Sequence, residues 1–160
     1  MSGSEKRILK REQLLRFREE NGDRRIVFTN GCFDIIHRGH VELLEQARAF
    51  GDCLVVGMNS DESVNRLKGA PRPLVNADDR AFVLLGLSSV DYVTVFGEDT
   101  PLETITALRP DVLVKGSEYG EGEIVGEDFV LQAGGRVERI MMVAGYSTTS
   151  LIEKMKQERK

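Results

Sequence analysis

Arg25-Ile-Val-Phe-Thr-Asn-Gly-Cys-Phe-Asp-Ile-Ile-His-Arg-Gly-His40 is the stretch on which the reading of the fold turns. Ile26-Val27-Phe28 is a β-branched and aromatic run bounded by Asn30-Gly31, which predicts a short buried strand. From Gly39 the residues His40, Leu43, Leu44 and Ala47 recur at helical spacing, so a helix follows. His37 and His40 therefore stand at a strand-to-helix junction, the second in the first turn. A helix start presents unpaired N–H groups and the positive end of its dipole, both of which favour an anion. Two imidazoles, Gly39 and Arg38 gathered there point to a phosphate site equipped with hydrogen-bond donors.

Two plainer readings compete. His40 shares a face with Leu43 and Leu44, which suits a hydrogen-bonded core histidine. Cys32, Asp34, His37 and His40 are all of metal-ligand type. A closed zinc site, however, draws its ligands from two separated clusters, and here all the candidates crowd one turn. The remaining cysteine, Cys53, falls in an apolar strand, so no protein metal site is expected.

Working outward, the 160 residues suit one domain with a full core. No apolar run reaches the ~20 residues of a membrane helix. Met1-Ser-Gly-Ser-Glu-Lys-Arg lacks the apolar segment of a signal peptide. Two cysteines give no disulfide framework, so a reducing, cytoplasmic setting is expected. The net charge is −4 with no basic stripe, which speaks against nucleic acid as a partner.

Residues 5–21 carry charges interleaved with Ile8, Leu9, Leu14, Leu15 and Phe17, predicting an amphipathic leading helix within residues 1–24. Residues 25–160 then alternate strand and helix. Expected strands are Ile26-Val27-Phe28, Cys53–Met58, Asp91–Phe96, Asp111–Val114 and Arg136–Val143. Apolar strands alternating with helices predict an α/β domain: a Rossmann-like, doubly wound, five-stranded parallel sheet with helices on both faces. Ligands of such sheets sit beyond the carboxyl ends of the strands. Segments leaving those ends carry His37 and His40, Lys68-Gly69, Lys115-Gly-Ser117 and Ser147-Thr-Thr-Ser150. Basic and hydroxyl groups thus collect on one edge of an acidic protein.

No G-x-x-x-x-G-K-[ST] occurs, so a P-loop is excluded. Gly120-Glu-Gly-Glu-Ile-Val-Gly126 has the wrong glycine spacing for a dinucleotide fingerprint, and Glu121 and Glu123 would repel a pyrophosphate. Ser150-Leu-Ile-Glu153 is by itself a capping box, yet three further hydroxyls precede it and suit a phosphate. Lys68, Arg72 and Arg80 lie in and after a Gly/Pro-punctuated loop. Each alone reads as a solvated charge; together they suit a loop that folds over a polyphosphate.

Thr29-Asn-Gly-Cys-Phe-Asp34, His37-Arg-Gly-His40, Arg66-Leu-Lys-Gly69, Arg72-Pro73, Asp99-Thr-Pro101, Val114-Lys-Gly116 and Ser147-Thr-Thr149 together resemble the cytidylyltransferase-like nucleotidyltransferases. Within them the chain is most similar to the branch that makes ADP-heptose from heptose 1-phosphate. The resemblance implies AMP transfer from ATP to a sugar 1-phosphate, with Mg²⁺ carried mainly on the ATP phosphates, and it admits a homodimer. It implies catalytic roles for His37, His40 and Lys68. It places Thr29, Asn30, Gly31, Cys32, Phe33, Gly39, Arg80, Lys115, Gly116, Tyr146, Ser147, Thr148 and Thr149 around the nucleotide. Asp34, Arg72, Ser117 and Glu118 would meet the acceptor. Close relatives usually read Lys-Gly-Gly-Asp-Tyr where this chain has Lys115-Gly-Ser-Glu-Tyr119. The arginine that glycerol-phosphate cytidylyltransferases carry before their hydroxyl run is absent from Met142-Val-Ala-Gly-Tyr146, which argues against CTP. The alternatives are a cytidylyltransferase acting on a small phosphorylated alcohol such as glycerol 3-phosphate, and a nucleotide-binding module without turnover.

Overall fold

Strand β2, Ile26–Gly31, runs through the middle of the sheet, because its residues Ile26, Val27 and Phe28 are apolar on both faces and fully buried. A computed structural model describes residue 3 and residues 7–158 of the chain. Its elements follow in the order β1 (Ile8–Leu9), α1 (Arg11–Glu20), β2, α2 (Arg38–Arg48), β3 (Cys53–Asn59), α3 (Asp61–Lys68) and α4 (Ala77–Leu85). Then come β4 (Tyr92–Phe96), α5 (Leu102–Leu108), β5 (Val112–Gly116), α6 (Glu127–Gln132), β6 (Arg136–Ile140) and α7 (Thr148–Gln157).

All pairings are parallel, and the order across the sheet is β1-β4-β3-β2-β5-β6. The sheet has six strands, not the five expected. The extra one comes from the segment expected to lead as a single helix: Ile8 and Leu9 pair with Val93 and Thr94 of β4 before α1 begins at Arg11. A strand of two residues is too short for periodicity to reveal. The Arg7 guanidinium pins it by donating to the carbonyls of Val90 and Leu85.

The two faces bury separate cores. One packs Leu43, Leu44 and Ala47 of α2 and Leu84 of α4 on Val27, Leu54, Val56 and Val93. The other packs Leu14 and Phe17 of α1 and Ile105 and Leu108 of α5 on Ile26, Phe28 and Val55. Alternate strand residues thus supply alternate layers. Truncating one such side chain, Phe28→Ala for example, costs about 3–5 kcal/mol through lost burial and the cavity left behind.

From β2 the chain winds one way through β3 and β4, then crosses to β5 and β6 on the opposite flank. The direction of winding reverses between β2 and β5. Their onward connections diverge there, opening a crevice at the carboxyl ends of the strands. Among the described residues no helix is long and apolar enough to cross a membrane.

Candidate active site

A cavity of about 550 Å³ occupies this crevice, a volume in the range of small-ligand sites. Thr29, Asn30, Gly31, Cys32, Phe33 and Asp34 line it from the end of β2, and His37 and His40 from the start of α2. Lys68 and Arg72 come from α3 and the loop after it, and Lys115, Gly116 and Glu118 from the end of β5. Tyr146, Ser147, Thr148 and Thr149 enter from the start of α7. Of the residues expected at the site, Gly39, Arg80 and Ser117 do not line the cavity.

The histidines build the start of α2. His37 is the N-cap, with its Nδ1 accepting the Gly39 N–H at 3.1 Å, and His40 Nδ1 accepts the His37 N–H at 3.3 Å. The two rings stack, centroids 3.8 Å apart and planes at 27°. Because each Nδ1 is an acceptor, hydrogen bonding assigns the proton of each neutral ring to Nε2. No buried side-chain nitrogen or oxygen among the described residues lacks a partner, so these unpaired Nε2–H groups are not sealed in the interior. Burial, reinforced by the neighbouring His37, pushes the His40 pKa down to about 4. Burial also lowers that of His37. At neutral pH the pair is a set of two uncharged donors beside the positive end of α2. Gly39 lies outside the cavity lining but beneath it. A Cβ there would come within 3.0 Å of His37 Cε1 and 3.2 Å of Tyr146 Cβ.

Asp34 holds the loop after α3. Its carboxylate accepts the backbone N–H groups of Leu74 and Val75, both at 2.9 Å, and the Arg72 Nε–H at 2.5 Å. The Asp34 side chain is fully buried. Burial alone would raise its pKa, but the two amides and Arg72 outweigh it and hold the carboxyl below its ordinary value. The Ala70-Pro71 and Arg72-Pro73 peptide bonds in this loop are cis. Asp34 and Arg72, expected to meet the acceptor, are therefore first of all partners of each other.

Arg80, expected to touch the nucleotide, is 1% exposed. It donates to the carbonyls of Val75, Cys32 and Asn59 and to the Asp61 carboxylate. It braces the loops that surround the cavity from behind. Ser117 also stands aside, its N–H bonded to the carbonyl of Ile140.

Lys68, the last residue of α3, makes no ion pair among the described residues, and Gly69 at φ 77° ends the helix beside it. A left-handed residue after a helix is the usual place for glycine. Lys115 donates to the Asn30 carbonyl and side-chain oxygens, both at 3.3 Å, and burial lowers its pKa. The Glu118 carboxylate folds over Gly116, into the space that a side chain there would fill. Thr29 ties the two diverging strands together through Oγ1–H to the Val114 carbonyl at 2.9 Å.

Ser147, not Ser150, caps α7: its Oγ accepts the Ser150 N–H at 3.0 Å. Thr148 donates to the Ile35 carbonyl at 3.1 Å. Two of the hydroxyls expected around phosphate are thus already engaged. The metal-ligand types of the histidine turn do not form a chelate either, since no group of three or more such side chains converges among the described residues.

Asn59, Leu67, Asp99, Tyr119 and Met142 also line the cavity, and none of them was expected among the site residues. Asn59 ends β3, and the rule that sites lie past strand ends points to it. Asp99 stands in one of the motifs that carry the resemblance, but without a role there; Arg66 reaches it from α3 at 2.9 Å.

The profile of the family described as Cytidylyltransferase-like matches residues 28–154. Bifunctional protein HldE of Helicobacter pylori is 52% identical over 151 residues, which are 94% of this chain and 32% of that protein. Its namesake in Syntrophotalea carbinolica is 55% identical over 137 residues, 86% of this chain and 28% of that one. The chain spans about a third of the length of these curated relatives. Among solved structures, a lipopolysaccharide core biosynthesis protein from Thermoplasma volcanium is similar at a TM-score of 0.61 and 26% identity, covering 75% of this chain and 97% of that one. A pantoate-beta-alanine ligase from Francisella tularensis shares the fold at a TM-score of 0.56 and 11% identity, with 96% of this chain and 78% of that one covered. With its parallel sheet, its switch-point cavity and its paired histidines, the chain belongs to the cytidylyltransferase-like family and is a nucleotidyltransferase.

Proposed function

We propose that the chain transfers AMP from ATP to a sugar 1-phosphate, D-glycero-β-D-manno-heptose 1-phosphate, releasing pyrophosphate. The observation that carries this reading is the stacked His37–His40 pair, which offers two Nε2–H donors from a helix start to a cavity at the switch point. A phosphoryl-transfer site needs donors aimed where negative charge develops, and here they stand in fixed geometry. The sugar is supported by the Arg66-Leu-Lys-Gly69 and Val114-Lys-Gly116 elements, by the relatives called HldE and by a solved relative of lipopolysaccharide core biosynthesis.

In this reaction a phosphate oxygen of the sugar attacks the α-phosphorus of ATP in line. The bond from that phosphorus to its bridging oxygen breaks, and the electron pair leaves with pyrophosphate. The acceptor is already ionised at neutral pH, so no general base is required. The chain supplies position and charge stabilisation. His37 and His40 donate to phosphate oxygens, and Lys68 neutralises charge from the end of α3. Mg²⁺ would arrive on the triphosphate; the carboxylates in the cavity wall are Asp34, Asp99 and Glu118.

The test is pyrophosphate release with Mg²⁺, each of the four nucleoside triphosphates and a panel of sugar phosphates. ATP with heptose 1-phosphate should be the productive pair, giving ADP-heptose. Preference for CTP overturns the adenylyl assignment. ATP use with a different sugar phosphate overturns only the heptose. Nucleotide binding without turnover by any pair overturns the enzymatic reading of this site.

A further inference from the structure

The segment that opens α7 touches the histidine turn at two points. Thr148 Oγ1–H bonds to the carbonyl of Ile35, just before His37. The Tyr146 ring runs roughly parallel to that of His37, centroids 6.4 Å apart and planes at 26°. His37 also stacks on His40 at 3.8 Å, and His40 packs in turn against Phe33 at 5.2 Å. The histidines are thus the inner pair of a column of four rings. Phe33 at one end is buried; Tyr146 at the other is 41% exposed, with the Arg38 guanidinium 5.9 Å from its ring centre.

The two histidines are not held equally. His40 sits within the first turn of α2 and is wedged between Phe33 and His37. His37 has extended backbone, φ −136° and ψ 175°, and its ring is held by the Gly39 N–H, by the stack on His40 and by Tyr146 alongside. Gly39 provides the seat, since a side chain there would strike both the His37 ring and the Tyr146 Cβ.

We infer that Tyr146 is a positioning residue for His37: with Thr148 it clamps the Ile35–Gly39 turn and keeps the His37 ring parallel to His40, so that both Nε2–H groups converge on one group. That this group is a phosphate rests on the function proposed above; the clamp itself does not. A stacking partner for the nucleobase is the rival role for Tyr146. Against it, the ring is already laid along His37 and Arg38.

The chain has two histidines, so a tag-free, ¹⁵N-labelled sample gives only two imidazole spin systems, and the tautomer of each can be read directly. Tyr146→Ala and Thr148→Val should each move the His37 signals away from the pure Nε2–H form and leave those of His40 in place. Tyr146→Phe, which keeps the ring, should restore them. In turnover, Tyr146→Ala should lower kcat about 10-fold or more, as expected when a donor is misplaced, with KM for ATP changed less than about 3-fold. An unchanged His37 spectrum in both Tyr146→Ala and Thr148→Val overturns the inference. So does a large rise in KM for ATP at constant kcat, which marks a nucleobase contact. If the wild-type chain turns over no nucleotide, the proposed function fails while the imidazole spectra still decide the clamp.

Discussion

Arg80 donates its guanidinium Nη1–H to the carbonyl oxygen of Cys32 at 2.6 Å, from a side chain with no exposed surface. The same group satisfies Asn59, Val75 and Asp61. It therefore joins the loops after β2, β3 and α3 behind the cavity wall. Lysine cannot reproduce this fork. Arg80→Lys should cost about 3 kcal/mol through carbonyls left without donors, a fall in Tm of roughly 6–12 °C for a chain of this size. Below the new Tm, KM for ATP should stay near that of wild type. Calorimetry and steady-state kinetics check both; a collapse of ATP binding in a fully folded variant would restore Arg80 to the nucleotide.

Asp34 should make stability depend on acid. Its folded pKa lies below the unfolded value of about 3.9. Its contribution is therefore complete above pH ~4 and is lost as pH falls further, through the folded pKa. Asp34→Ala breaks a buried pair and leaves two amides unsatisfied, at a cost of about 3–5 kcal/mol near neutrality. Urea unfolding at several pH values should show the gap between wild type and variant narrowing below pH ~4. A gap independent of pH would mean that the carboxylate's charge plays no part.

The histidines act in a different window. His40 titrates at about 4 in the folded chain against about 6.5 when unfolded. Between those values the unfolded state binds the proton first. Stability is thus complete above pH ~6.5 and is lost as pH falls toward 4. His40→Gln should abolish most of that slope, while glutamine at the third helical position keeps a capping-box acceptor. The same variant should lose roughly 10²-fold or more in kcat, the scale of removing one donor from a transition state. Retained kcat would return His40 to the core-histidine reading.

Gly39→Ala should fold yet turn over poorly. Its methyl must displace the His37 ring or Tyr146. Helix propensity, by contrast, favours alanine over glycine by about 1 kcal/mol. A stable variant with kcat reduced roughly 10-fold is expected, the signature of a donor moved rather than a fold lost. Circular dichroism and initial rates separate the two effects.

Lys68→Ala should lower kcat more than it weakens ATP binding, since a cation at a helix end, with no ion pair of its own, acts chiefly on late charge. Equilibrium binding beside turnover is the check. Weakened binding at constant kcat marks a ground-state clamp, and no change in either marks a solvated charge.

Much of this site could be read in the chain because its signals are local. The run Ile26-Val27-Phe28 and the helical spacing from Gly39 place the histidine turn without any long-range information. Alternation of apolar strands and helices likewise implies parallel pairing. What stayed hidden depends on distant partners. Ile8-Leu9 becomes a strand only because β4 offers an edge. Arg80 looks like any helical arginine until Cys32, Asn59 and Val75 close around it. Asp34 and Arg72 are far apart in sequence and read as separate ligand contacts, whereas their pairing makes them a latch. The capping-box spacing pointed to Ser150, but the helix starts one turn earlier, where Ser147 caps it by accepting the Ser150 N–H.

The reciprocal cap at the start of α2 has a further consequence for how this site can vary. The same two imidazoles that face the cavity also terminate the helix, each through its Nδ1. One edge of each ring is structural and the other chemical, so most substitutions at His37 disturb both at once. Asparagine is the exception at position 37. It ranks among the best N-caps, and it would keep the helix origin while withdrawing the cavity-facing donor. His37→Asn is therefore a change suited to convert the domain into a folded receptor that holds its substrates without joining them.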